Sequence, residues 1–352
     1  MKPPGTYRIF CIGQSTTEGY PFEPRGGYPQ WLGLVLKDVL PGRKIEVINA
    51  GVSGSDSTRD LAIVNDVLNY QPDILVLYEG NNESRQGRIR LLQERFGNRF
   101  GLFVFWLRNY FPIVRWAGER LHKRPLQDKE LMPIFKRNIK KMIALAEARN
   151  VRVALLGQVK WDTLAIPDAP KPFNLFLKSR QNHDVLYIDT LRFFKNDGKC
   201  SPIGPKCLLD SEHPSLRGQW LIAATLARGL AGRGWIAPPS AWRWRNIRPM
   251  AAYQKKLELT DRFLARAFIT EAWSPQTDPH GLALVPDDIA ESDRFEKDGI
   301  PEIIRTSYKW LGPPSSFVKN AIISYYDKTD PAEAKIFENV LRLGREGKLS
   351  QP

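Results

Sequence analysis

Cysteine and histidine are scarce in this 352-residue chain, at three and four copies. Three cysteines are too few for a disulfide framework, and no Cys/His spacing matches a zinc site. Cys11 falls in an apolar run and reads as a core residue. Cys200 and Cys207 bracket a Pro/Gly loop, compatible with a pair formed in an oxidising compartment and equally with two reduced thiols. Long apolar runs are also missing. The best, residues 101–107, ends at Arg108, far short of the roughly 20 residues that span a bilayer. The opening Met1-Lys2-Pro3-Pro4-Gly5 lacks the apolar middle of a signal peptide. With Met1 as the natural start, a cytoplasmic protein is expected. With a segment upstream of it, a membrane-anchored or periplasmic one is. No period of about 34 residues marks helical repeats.

What is plentiful is apolar content and positive charge. Hydrophobic residues at 42% and charged residues at 26% describe a globular chain with a sizeable core, not a disordered one. The net charge of +14 is regional: residues 84–150 hold 16 Lys and Arg against 5 Asp and Glu, while residues 1–83 hold 7 against 10. A basic segment of this kind suits an acidic polymer, an anionic membrane surface or a protein partner.

Short β-branched and aromatic runs alternate with stretches of helical periodicity. Strands are expected at 7–12, 44–50, 73–78, 151–156 and 184–189. Helices are expected at 28–40, 58–70 (capped by Asp56 or Ser57), 128–149 and 215–233. Apolar strands joined by helices indicate a parallel sheet covered on both faces. Right-handed crossovers then make it α/β: a doubly wound, flavodoxin-like, five-stranded parallel sheet in three layers. Residues 84–127, between the third strand and its helix, far exceed an ordinary α/β loop of about 2–6 residues and form an insertion. Its arginines and aromatics suit a cap on the sheet edge, or an amphipathic surface for a membrane or an acyl chain. No nucleic-acid module surrounds them. The expected organisation is an α/β domain over 1–233, a Trp/Pro-rich linker over 234–249 and a helical C-terminal extension over 250–352.

The chemistry starts from Gly13-Gln14-Ser15 at the carboxyl end of the first strand, where open α/β sheets bind ligands. A hydroxyl nucleophile needs a base and a group that orients the base. His122 sits in the basic insertion, His183 near a helix end and His280 in a Pro-rich break. His213, in Asp210-Ser211-Glu212-His213, leaves from the same sheet edge as the serine. Asp210, three residues before it, can hold the imidazole tautomer. The plainer alternative is that Asp210 or Ser211 caps the following helix. Oxyanion donors are each worth about 3–4 kcal/mol of barrier. Gly54 offers an unobstructed N–H, Asn82 a neutral side-chain amide, and Ser15 its own N–H.

Four blocks together resemble the SGNH hydrolases, the GDSL-type esterase and lipase superfamily. Gly13-Gln14-Ser15 with Gly19 is similar to the first block and Asn49-Ala50-Gly51-Val52-Ser53-Gly54 to the glycine block. Gly80-Asn81-Asn82-Glu83 is similar to the Gly-x-Asn-Asp/Glu block, and Asp210-Ser211-Glu212-His213 to the closing Asp-x-x-His. The resemblance implies Ser15 as nucleophile, His213 as base, Asp210 as its partner, and Gly54 and Asn82 as oxyanion donors, with no cofactor or metal. Gln14 departs from the aspartate many members carry, at a position that is not the nucleophile. The implied activity is hydrolysis of acetyl or short-acyl esters, on a small molecule or a glycan, through an acyl-enzyme. The same parts serve an O-acetyltransferase or deacetylase on a carbohydrate polymer. A catalytically silent binding or assembly protein on this fold is the third alternative.

Overall fold

Five short apolar strands line up side by side, all parallel, in the order β2-β1-β3-β4-β5. The computed structural model describes residues 2–83, 128–159, 172–198, 200, 207–208, 212–259 and 342. The strands are β1 (Thr6–Gly13), β2 (Lys44–Gly51), β3 (Ile74–Tyr78), β4 (Arg152–Leu156) and β5 (Val185–Ile188). This is the expected flavodoxin-like order, with β1 between β2 and β3.

Alternate residues of each strand serve opposite faces. Ile9, Cys11, Ile74, Val76, Ala154 and Leu156 join one core cluster with α2 (Tyr28–Val39) and α7 (Leu216–Arg233). Phe10, Ile12, Leu75, Leu77, Val153 and Leu155 join the other, covered by α3 (Ser57–Val67), α4 (Asp128–Glu147) and α5 (Pro172–Lys178). The three layers follow from strands that are apolar on both faces. Asp56 caps α3, its carboxylate accepting from the N–H groups of Thr58 and Arg59. Beyond Val67 that helix tightens into a 3₁₀ turn at Leu68–Tyr70.

Strand register sets the site. Gly13 pairs with Gly51 on one side and Tyr78 on the other, so the loops after β1, β2 and β3 leave the sheet along one line. The stretch after α7 packs onto the first core cluster through Trp235, Ile236 and Trp242, with Tyr253 of α8 (Met250–Lys256) buried beside them. Trp242 and Trp244 stack at 5.3 Å. Cys200 and Cys207 are joined in a disulfide, while Cys11 is a buried free thiol. The basic insertion 84–127 and the tail from 260 onward, apart from residue 342, lie outside the described residues. Among the described residues no helix is long and apolar enough to cross a membrane.

Candidate active site

β1 stops at Gly13 because only glycine fits there. A Cβ would lie 2.5 Å from both Thr17 Oγ1 and the Tyr78 carbonyl oxygen, at φ +153°. The chain then makes the single helical turn α1 (Ser15–Glu18), closed by Gly19, whose N–H donates to the Ser15 carbonyl. Ser15 is the first residue of that turn, so its own N–H has no acceptor within it.

His213 reaches Ser15 from the other side. The loop carrying it begins at the disulfide and is pinned by a bridge between Leu208 and Pro214 and by Ser215 N–H donating to the Cys207 carbonyl at 3.0 Å. Ser15 Oγ and His213 Nε2 are 2.8 Å apart. Ser15 is only 9% exposed and His213 2%. With the imidazole neutral and protonated on Nδ1, the serine donates to Nε2, which can take its proton. The Tyr20 ring lies against the imidazole with centroids 4.9 Å apart.

Two further ties hold the serine turn to the histidine segment. Thr16 Oγ1 donates to the Glu212 carbonyl at 3.4 Å. The fully buried Gln219 of α7 donates from Nε2 to the Thr16 carbonyl (3.2 Å) and accepts from Tyr28 N–H (2.9 Å). Asp210 lies outside the described residues, as do Ser211, His122 and His280. The N-cap of α7 is Ser215, its Oγ accepting from Gly218 N–H. His183 is exposed beside Asp184 at the amino end of β5, the edge opposite Ser15.

The loop after β2 brings Gly54 to the same edge with φ +71°. A Cβ there would meet nothing within 4 Å, so backbone conformation rather than crowding calls for glycine. The loop is anchored by Val52 N–H to the Gly13 carbonyl (2.9 Å) and Ser53 N–H to the Glu18 carboxylate (2.7 Å). Asn82, after β3, is 1% exposed, and among the described residues neither polar atom of its side chain has a hydrogen-bond partner. Its backbone N–H donates to Gln14 Oε1 at 2.9 Å. Gln14, which reads in the sequence as an incidental departure, is thus the residue that fastens Asn82 beside the serine. The amide keeps one acceptor oxygen of the aspartate it stands in for.

Behind Asn82 lies a group of buried carboxyls. Asp60 of α3 and Glu79 at the end of β3 are both buried, and as two carboxylates they would repel each other. Burial, and after it the neighbouring Asp60, push Glu79 well above the usual range, and burial also raises Asp60. Glu83, 5% exposed, is pushed up to about 7, burial outweighing its two bonds to Ser57. Among the described residues no group of three or more His, Cys, Asp or Glu is arranged to hold a metal ion.

A raised carboxyl means the folded protein binds its proton more tightly than the unfolded chain does. The stabilisation is full below about pH 4.5 and is lost as pH rises through about 7. For Glu83 alone that amounts to about 3 kcal/mol at most. Melting temperature should therefore fall from about pH 4.5 to about pH 7, and Glu83→Gln should flatten that fall. Parallel curves for the two proteins would refute the assignment.

The profile of the GDSL-like lipase/acylhydrolase family matches residues 11–221, from within β1 to within α7. The chain belongs to this family. As a GDSL-type enzyme it is a serine ester hydrolase on an SGNH hydrolase fold. Its similarity to solved structures is distant. A catalytic mutant of Axe2, an acetylxylan esterase from Geobacillus stearothermophilus, is 17% identical, with a TM-score of 0.44 over 68% of this chain and 100% of that chain. A second catalytic mutant of Axe2 is 18% identical, with a TM-score of 0.45 over 65% and 96%. TesA is 18% identical, with a TM-score of 0.42 over 64% and 99%. Comparison with curated proteins gives no match.

Proposed function

We propose that this GDSL-family esterase cleaves acetyl or short-acyl esters through an acyl-enzyme on Ser15, with His213 as the base. The observation that carries the reading is the 2.8 Å contact between Ser15 Oγ and His213 Nε2, both side chains being largely buried. Oγ attacks the ester carbonyl carbon while its proton moves to Nε2, forming the C–Oγ bond and an oxyanion. The N–H groups of Gly54 and Ser15 and the Asn82 side-chain amide stabilise that charge. Collapse expels the alcohol, protonated by His213. A water, deprotonated by the same imidazole, then attacks the acyl-enzyme and releases the acid. Asp210, three residues before His213, is assigned to the Nδ1 side of the ring. The small exposure of Ser15 and the Tyr20 ring beside the imidazole favour a short acyl group.

A panel of p-nitrophenyl esters tests this, with a fluorophosphonate probe as a second readout. Hydrolysis fastest with acetyl to butyryl esters, with probe attached at Ser15, is expected. Preference for long chains would overturn the short-acyl assignment. Labelling of Ser15 without hydrolysis, restored to turnover by a sugar acceptor, would instead identify an O-acyltransferase. Neither labelling nor turnover would leave a binding protein.

A further inference from the structure

The loops that carry Gly54 and Asn82 belong to different strands, and a hydrogen-bond acceptor set between them has no part in the chemistry above. Glu83 follows Asn82 directly, and Ser57 lies three residues beyond Gly54. Glu83 Oε1 accepts from Ser57 N–H at 2.9 Å and Oε2 accepts from Ser57 Oγ at 2.9 Å. Asn138 of α4 donates from Nδ2 to Ser57 Oγ (3.0 Å) and to Thr58 Oγ1 (2.9 Å). Ser57, Glu83 and Asn138 are all buried.

We propose that Glu83 is a positioning residue that fixes the Gly54 and Asn82 donors relative to each other by clasping Ser57 at two points. The proposal rests on the assignment of those two donors to the oxyanion. The argument is one of donor and acceptor count. Ser57 presents two donors on one residue, its N–H and its O–H, and only a carboxylate offers two acceptors at the spacing of one planar group. A glutamine would supply one acceptor and one N–H₂. Whichever way that amide is turned, one of the two Ser57 donors would face an N–H₂ instead of an acceptor. Two parallel bonds also resist rotation, which one would not. On the other side of Asn82, Gln14 holds the backbone N–H at 2.9 Å. Asn82 is therefore gripped from the β1 loop and, through its neighbour, from the β2 loop. A preset donor stabilises a transition state only while its placement holds to a fraction of an ångström.

The test is steady-state kinetics of Glu83→Gln, Ser57→Ala and the double variant on p-nitrophenyl acetate, with Asn82→Ala in parallel. Glu83→Gln should lower kcat about 10- to 100-fold with KM little changed, the scale expected of a displaced catalytic donor. Ser57→Ala should lower it less, and the double variant should equal Glu83→Gln, because both remove one interaction. A purely structural role would lower the melting temperature and leave kcat per folded molecule alone, which would overturn the proposal. If Asn82→Ala lowers kcat and Glu83→Gln does not, positioning fails while the donor assignment stands. If Asn82→Ala has no effect, the donor assignment itself has failed. Should Glu83→Gln not fold, Ser57→Ala decides: a lowered kcat at constant KM supports the clasp, and wild-type kcat overturns it.

Discussion

Ser15→Ala is expected to lower kcat for p-nitrophenyl acetate about 10⁴- to 10⁶-fold, the range seen when a serine hydrolase loses its nucleophile. His213→Ala should cost nearly as much, and the two together no more than either alone. The non-additivity follows from the geometry. At 2.8 Å the hydroxyl and the imidazole nitrogen share one proton, and neither can do its part without the other. His213→Ala should also prevent fluorophosphonate labelling, since the Ser15 hydroxyl is then an unactivated alcohol. Initial rates against an active-site-titrated wild type decide it. Residual activity within tenfold of wild type in either variant would remove the pair from the mechanism.

Asn82→Ala carries the second large effect, and its two consequences run in opposite directions. Removing one oxyanion donor should lower kcat about 10²- to 10³-fold with little change in KM, because the interaction forms only as charge develops. Yet the Asn82 amide is buried with neither polar atom paired among the described residues, a condition that costs about 1–3 kcal/mol. Its removal should hold or raise the melting temperature. Such a pairing of lost activity with retained stability marks a group kept for function. Thermal unfolding beside kinetics measures both. A drop in stability with kcat intact would show Asn82 to be a packing residue.

The fold is largely legible in the sequence. The strand runs are apolar on both faces because the sheet is covered on both sides, and a period of that kind survives in any single sequence. Ser15, Gly54, Asn82 and His213 stand out in the sequence because each proposed role restricts the residue type, and the parallel order sends the loops after β1, β2 and β3 to one edge. What escaped was pairing over distance. Glu83 after Asn82 reads as a turn residue until Ser57 is seen opposite it. Gln14 reads as a neutral change until its oxygen meets the Asn82 N–H. The 7-residue helices α5 and α6 (Thr190–Asn196) are too short to show a period. Trp235 and Trp242, in a stretch whose prolines suggest a linker, turn out to be core residues. Cys200 and Cys207 were compatible with either redox state, and spacing alone could not choose.

The Gln219 amide has a bearing on how this enzyme can vary. It joins the turn carrying Ser15, the first residue of α2 and the helix that follows His213. Gln219 thus ties the Ser15 turn to the helix that follows His213, while Gln14 ties the same turn to Asn82 at the start of the crossover from β3 to α4. Gln219 and its two partners, Thr16 and Tyr28, all lie outside the basic insertion at 84–127, so a change in the length or charge of that insertion leaves this tie intact.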